Sequence, residues 1–440
     1  MSWDRLRLPQ RFPSIVDGQE PHHVLMRVSG GATWLWPVEV MFNGEGQMFL
    51  HSRWRRFARS HAIDVGHFIV FKYDGNNEFS VKEPVILACS GSSAPSKTAI
   101  ASRPCRKLER DSGLAMDPDT EVDFDFSPFL VRYKSGRVHR LMGSSRASAG
   151  VDASTGITCK DVLIDADAGL AAMLYLPKGV PASKKLPVLV YFHGGVFVVQ
   201  TAFSAVYYRF LNALVAAAGV VAVCVDYRLA PEHPLPAAYH DAYAALRWTL
   251  SSCSSAGTEP WLAEHGDAAR IFVAGDSAGA NIAHNVAMKA GSARIEVEGM
   301  ALLHPYFRGR DLLPSEGTNR GEETWAFVCA GRYGIDHPFI NPLAMPAKQW
   351  ATLGCRRALV TVGDLDTLRD RTRRYVETLR GSAWGGQEAL LHQTHGEGHV
   401  YFVEKSAQGH KADKEMDAVV SFIKGRQYEF IRGSTCSSSL

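Results

Sequence analysis

The chain has 440 residues, 46% of them apolar and 21% charged, with a net charge of +3. Its length asks for two domains and its apolar share supplies a sizeable core, which excludes a disordered or fibrous chain. So mild a charge singles out no partner, and no run of eighteen apolar residues is present to cross a membrane.

The first ninety residues predict short alternating strands at 24–28, 36–40 and 68–73, with a helix around 54–59 between them. Asp74-Gly75-Asn76-Asn77 is a hairpin turn signal. Arg53, Arg55, Arg56 and Arg59 read as the solvated face of that helix. Up to Glu83, ten basic residues meet nine acidic ones, short of the basic excess usual in nucleic-acid binders. From about Cys89 to Ala115, Ser, Ala, Lys and Arg dominate without periodicity, which reads as a flexible linker.

Strands and helices alternate beyond the linker. Leu186–Phe192 is a continuous apolar run, as a buried parallel strand requires, and it ends in His193-Gly194-Gly195. Such a loop can aim backbone N–H groups at one point. Val220–Val225 is the next strand; the charged tail Asp226–Pro234 reads as a crossover loop pinned by ion pairs. Ile271–Asp276 then runs into Ser277-Ala278-Gly279, giving Gly-x-Ser-x-Gly between a strand and a helix start. In that context the glycines permit a sharp turn that lifts the Ser277 hydroxyl off the sheet. The N–H of Ala278 would then join the His-Gly-Gly loop as an oxyanion hole. A serine nucleophile needs a base, and the base an orienting carboxylate. Two later strands end near candidates: Asp364, Asp366 or Asp370 for the acid, His395 or His399 for the base. Spacing leaves these open. Eight scattered cysteines show no CxxC or metal spacing, and Cys224 reads as a core hydrophobe.

Five segments carry a resemblance: Asp125–Leu130, the His-Gly-Gly loop, Asp226–Pro234, Gly275–Asn281 and Glu397–Phe402. From about Met116 to Arg426 the chain resembles plant carboxylesterases of the hormone-sensitive lipase family. That resemblance implies an α/β-hydrolase fold: a mostly parallel sheet, helices on both faces and a helical cap. It places the acid at Asp366, ahead of Leu368-Arg369-Asp370-Arg371, and the base at His399. It implies an oxyanion hole from Gly194, Gly195 and Ala278, and caps at 126–133 and 304–325. Gibberellin receptors of the same fold lack the catalytic His that this chain keeps, and a dehydratase relative would differ in pocket shape. One departure is Val196, where the family prefers a small residue; a β-branched side chain there restricts the backbone and crowds the pocket.

Leu8–Phe12, Trp36–Val38, Trp54–Phe57, Gly66–Phe71 and Tyr73–Asn76 carry a second resemblance. Over residues 5–83 the chain is similar to the plant B3-type DNA-binding domain, a small β pseudobarrel. That implies DNA contacts from Arg11, Asn76 and Asn77. The expected closing strand is replaced by Glu83-Pro84-Val85-Ile86-Leu87.

The resulting expectation is a pseudobarrel domain at 1–88, a linker at 89–115, a hydrolase domain at 116–428 and a loose tail at 429–440. The expected activity is hydrolysis of small carboxylic esters by Ser277, His399 and Asp366, with no metal and no cofactor. The alternatives are a DNA-binding regulator with a passenger hydrolase fold, or a dehydratase- or hormone-receptor-like relative on the same fold. No apolar signal stretch follows Met1, so an intracellular chain with reduced thiols, cytoplasmic or nuclear, is expected.

Overall fold

The computed structural model describes residues 6–7, 23–28, 36–42, 48–50, 71–75, 78–81, 119, 121–181, 183–254, 256–317, 321–403 and 410–431. The chain divides into two units, residues 1–139 and 140–440. The expected helix at 54–59, the linker at 89–115, the hydrolase start at Met116 and the DNA-contact candidates Arg11, Asn76 and Asn77 lie outside the described residues.

In the first unit, strands β1 (Leu6–Arg7), β2 (His23–Val28), β3 (Trp36–Phe42), β4 (Met48–Leu50), β5 (Phe71–Gly75) and β6 (Glu78–Val81) form one sheet. Their order is β1-β4-β3-β2-β6-β5, and the β2–β6 pair is the parallel one. The expected strands at 24–28 and 36–40 fall within β2 and β3, and residues 71–73 of the third fall within β5. The two- to four-residue strands β1, β4 and β6 were too short for a sequence pattern to declare them. Val122–Phe126, Leu130–Tyr133 and Val138–Arg140 form a separate three-stranded sheet, β7 to β9. The segment 126–133, expected as a cap, is the β7–β8 hairpin.

The second unit is built on nine strands. They are β10 (Gly150–Val151), β11 (Thr158–Asp165), β12 (Leu170–Leu176), β13 (Leu186–Phe192), β14 (Val221–Asp226), β15 (Gly266–Asp276), β16 (Val297–Leu303), β17 (Cys355–Gly363) and β18 (Glu388–Thr394). The order is β10-β11-β12-β14-β13-β15-β16-β17-β18, antiparallel up to β14 and parallel from there on. All seven residues of β13 are buried, which is why that strand reads as an unbroken apolar run. Seven α-helices are described here: α1 (Ala205–Ala218), α2 (Ala237–Ser252), α3 (Pro260–His265), α4 (Ala278–Ser292), α5 (Gly321–Val328), α6 (Arg369–Arg380) and α7 (His410–Lys424).

Side chains alternate across the sheet and supply two cores. On one face Tyr191, Ala222, Phe272, Leu303 and Leu359 cluster with Phe210 and Leu214 of α1 and Val419 and Phe422 of α7. Helices α2 and α4 pack on each other and on the central strands β13 and β15. The crossover after β14 is pinned as its charges suggest: Arg228 Nη2 donates to Asp241 Oδ1 at 2.6 Å and Arg140 Nη2 to Glu232 Oε2 at 2.7 Å. The first residues of the expected tail are held, since the Ile431 N–H donates to the Leu391 carbonyl at 2.8 Å. The five cysteines described, Cys159, Cys224, Cys253, Cys329 and Cys355, are free thiols and all buried. No helix among the described residues is long and apolar enough to cross a membrane.

Helix α4 starts against the end of β13 with no room for a side chain. A Cβ on Gly279 would lie 1.9 Å from the Phe192 carbonyl oxygen, and one on Gly275 would lie 2.4 Å from the Gly279 carbonyl carbon. Both obstacles are backbone, so the helix itself must move to admit a methyl group. Gly279→Ala is therefore expected to destabilise by about 3 kcal/mol or more. Thermal unfolding checks this: an unchanged Tm would show that the contact is slack.

Candidate active site

Ser277 stands between β15 and α4 with φ +53° and ψ −117°, a backbone region that L-residues rarely occupy. Such a conformation costs about 1–3 kcal/mol and persists only where the surroundings enforce it. Here the Ser277 N–H donates to the Leu303 carbonyl at 2.9 Å, and the Ser277 carbonyl accepts from Tyr306 N–H at 3.0 Å and Asn281 N–H at 3.1 Å. The close approach at Gly275 and Gly279 completes the turn.

The turn brings the Ser277 Oγ to 2.9 Å from the His399 Nε2, and the His399 Nδ1 lies 2.7 Å from Asp366 Oδ2. A carboxylate can only accept, so Nδ1 carries the proton and Nε2 presents its lone pair to the serine hydroxyl. Asp366 is almost fully buried. Its other oxygen accepts the Leu368 N–H at 2.8 Å. Burial alone would raise its pKa; the charges and hydrogen bonds of His399 and His304 outweigh burial and hold the carboxyl well below the usual range.

The candidates that spacing left open are sorted by this geometry. Asp364 pairs with the fully exposed His395 and accepts the Gly396 N–H at 2.6 Å, a surface contact away from Ser277. Asp370 accepts the Ser315 N–H at 2.9 Å. Only Asp366 and His399 line up with the serine among these.

The loop after β13 is tied to the nucleophile turn by Asp276, which the sequence reading passed over. Asp276 is buried and accepts from Tyr191 Oη at 2.9 Å, Tyr207 Oη at 2.9 Å and the Gly194 N–H at 3.1 Å. Burial is the largest influence on this carboxyl and lifts it to about 6 against those three donors. The Gly194 N–H also donates to Tyr207 Oη at 2.8 Å. This corrects the expected oxyanion donors: the Gly194 N–H faces the Asp276 cluster and is already spent there. Gly195 at φ +108° and Val196 at φ +55° carry the next two N–H groups. Gly195 cannot be larger, since a Cβ would lie 2.2 Å from the Val199 carbonyl oxygen. Val196 is a buried β-branched residue in the left-handed region, so its departure from a small residue is strained as well as bulky.

A second histidine, His304 at the end of β16, was also missed. Its Nδ1 lies 3.2 Å from Asp366 Oδ2. A titratable residue just past the carboxyl end of a central parallel strand was the available signal. The donor atoms of His304, Asp366 and His399 lie within 4.8 Å of one another, the one such group among the described residues. A metal there would displace the proton that joins His399 to Asp366, so the group is read as hydrogen-bonded.

Set against known proteins, the chain matches the alpha/beta hydrolase fold family over residues 189–403 and the B3 DNA binding domain family over residues 1–91. It is 42% identical over 322 residues to the tuliposide A-converting enzyme b2, amyloplastic, of Tulipa gesneriana, covering 72% of this chain and 84% of that protein. It is 39% identical over 327 residues to the probable carboxylesterase 13 of Arabidopsis thaliana, covering 70% and 99%. A solved thermostable esterase from Pseudomonas putida superimposes with a TM-score of 0.53 at 26% identity, covering 64% of this chain and 86% of that one.

His193, at the head of the loop, gives a pH prediction. It is fully buried, its Nδ1–H donates to the Gly194 carbonyl at 2.8 Å, and it stacks on Tyr227 at 4.3 Å. Burial pushes its pKa down to about 4. A depressed histidine favours folding while neutral, and that contribution is lost as pH falls from its unfolded value near 6.5 towards 4. Between pH 7 and pH 5 the loss from His193 is about 2 kcal/mol. His193→Asn keeps the Nδ1-side donor but cannot titrate, so it should lose about that much less over the same interval. Urea unfolding at the two pH values checks this; equal losses in both proteins would contradict a buried neutral His193.

Proposed function

Because the chain belongs to the α/β-hydrolase family of plant carboxylesterases and is a hydrolase acting on ester bonds, we propose that it cleaves small carboxylic esters through an acyl-enzyme on Ser277. The observation that carries this reading is the file of Ser277 Oγ, His399 Nε2, His399 Nδ1 and Asp366 Oδ2, at 2.9 and 2.7 Å. His399 takes the serine proton as Oγ attacks the ester carbonyl, then returns it to the departing alkoxide. Asp366 holds the imidazole in the productive tautomer and stabilises the imidazolium. The N–H groups of Gly195, Val196 and Ala278 receive the developing oxyanion. Water then cleaves the acyl-enzyme by the reverse proton path. Nothing in this sequence of steps calls for a metal or an organic cofactor.

A second activity is favoured by the match of residues 1–91 to the B3 DNA binding domain family. On that reading the N-terminal domain contacts duplex DNA through Arg11, Asn76 and Asn77, and the protein works in the nucleus as well as the cytoplasm. Binding should be weak given the nearly balanced charge and should fall steeply with added salt as counterions are released. Arg11→Ala should weaken it. Salt-resistant, sequence-specific binding would instead make DNA regulation the principal role.

Ser277→Ala should lose about a millionfold in kcat. A fluorophosphonate should label the native chain and not this variant; equal labelling would overturn the nucleophile. Asp366→Asn should lose about ten-thousandfold, because the imidazole tautomer is no longer fixed. Asp364→Asn, at the surface, should stay near native activity.

Val196→Gly relieves backbone strain of about 1–3 kcal/mol. It also removes a buried side chain worth about 2 kcal/mol, so stability should hardly move. The acyl pocket gains volume, and kcat/KM should rise a few-fold on branched p-nitrophenyl esters. A flat response across the ester panel would show that Val196 does not shape the pocket.

A further inference from the structure

Behind the acid of the triad lies a buried polar cluster that the proposed reaction does not use. His304 and Glu415 are each fully or almost fully buried, as is Asp366 between His304 and His399. His304 Nδ1 is 3.2 Å from Asp366 Oδ2, the same oxygen that His399 bonds. Val400 N–H also lies 3.2 Å from that Nδ1. Only one of these can be a bond. Donation to the Asp366 carboxylate is charge-assisted and the stronger of the two, so Nδ1 carries the proton and donates it to Asp366.

The far edge of the ring faces a second acid. His304 Nε2 is 3.8 Å from Glu415 Oε1, and neither atom has a hydrogen-bond partner among the described residues. Glu415 is held from behind: its Oε2 accepts from Thr394 Oγ1 at 3.2 Å, and Tyr401 Oη lies 3.3 Å from it. His392 Nε2 lies 3.6 Å from the same oxygen. Four elements therefore meet at His304: β16, the loop that carries Asp366, the loop that carries His399 and helix α7. The rings of His399, Tyr401 and Phe402 pack around it at 6.0, 5.8 and 5.3 Å. A buried polar group this expensive to keep is retained where it fixes a geometry.

We propose that His304 is a positioning residue for ester hydrolysis, its Nδ1–H fixing Oδ2 of Asp366 while the Glu415 carboxylate on α7 faces the opposite edge of its ring. This rests on the Ser277–His399–Asp366 reading. Asp366 then receives two donors on Oδ2 beside the Leu368 N–H on Oδ1, which holds it against rotation away from His399. Because Oδ2 shares its charge between two imidazoles, His304 also tempers how strongly Asp366 stabilises the charged form of His399. The groups that face His304 and enter any pH effect are Asp366, Glu415, His399, Tyr401 and, through Glu415, His392.

The test measures kcat, KM and the pH dependence of kcat/KM on a p-nitrophenyl ester for the full chain, with Ser277→Ala as the reference. His304→Leu should lower kcat about tenfold with KM nearly unchanged, because the interaction acts on the transition state. Its acid limb should move to higher pH by about half a unit, since the undivided Asp366 charge now favours the protonated base. His304→Asn places an amide donor at the Nδ1 position and should recover most of the lost kcat. Glu415→Gln should move both quantities in the same direction by less. If His304→Leu does not fold, His304→Asn and Glu415→Gln decide through the limb alone. Variants that lose only Tm, or raise only KM, overturn the proposal while an inactive Ser277→Ala leaves the nucleophile reading standing. An active Ser277→Ala removes both.

Discussion

The approach of helix α4 to strand β13, closer than any side chain permits, is the constraint from which the site follows. With glycine at 275 and 279 the helix begins against the Phe192 carbonyl, and the residue between strand and helix is forced to φ +53°. That residue is Ser277. Its hydroxyl thereby stands clear of the sheet, within reach of an imidazole delivered from more than a hundred residues further along the chain. The local cost of about 1–3 kcal/mol is small beside the burial of the central strands, so the fold can sustain it.

Two carboxylates beside the site, Asp276 on this turn and Asp366 in the loop after β17, have opposite electrostatic fates. Asp276 and Asp366 are both buried, yet burial dominates the first and lifts it to about 6, while histidine partners prevail at the second and hold it low. The difference lies in what each one accepts from. Phenols and an amide surround Asp276 and leave it a fastening between the loop at Gly194 and the nucleophile turn. Imidazoles flank Asp366 and draw it into the file of hydrogen bonds that ends on Ser277. Two acids of one residue type thus do mechanical and electrostatic work around the same serine.

The sequence shows the larger fold because its central strands are buried on both faces and read as unbroken apolar runs, and because the glycines beside Ser277 have a steric reason visible as a motif. Neither Asp366 nor His399 could be told from Asp364 or His395 by spacing, since each pair sits within a few residues in one loop; only the resemblance and then the geometry separate them. Gly194 was misread because a His-Gly-Gly loop does not say which of its N–H groups turns inward, and that depends on Tyr207 and Asp276, which are distant in sequence. His304 and Glu415 stayed hidden for the same reason: a lone His and a lone Glu are ordinary surface residues until the chain brings them together. In the N-terminal unit the longer strands β2 and β3 were legible by alternation, whereas strands of two to four residues leave no period to find.

The burial of all five thiols between Cys159 and Cys355 has a practical consequence. Burial raises the pKa of Cys159, Cys224, Cys253 and Cys355, so little reactive thiolate is present at neutral pH. Maleimides and iodoacetamide, which need an accessible thiolate, should therefore react slowly with these five while the hydrolase stays folded. A dye or spin label directed to one introduced surface cysteine will report from that position against a background confined to Cys89, Cys105 and Cys436, the remaining cysteines of the chain. Replacing those three by serine would yield a full-length protein suited to distance measurements between its two units without disturbing any thiol of the core.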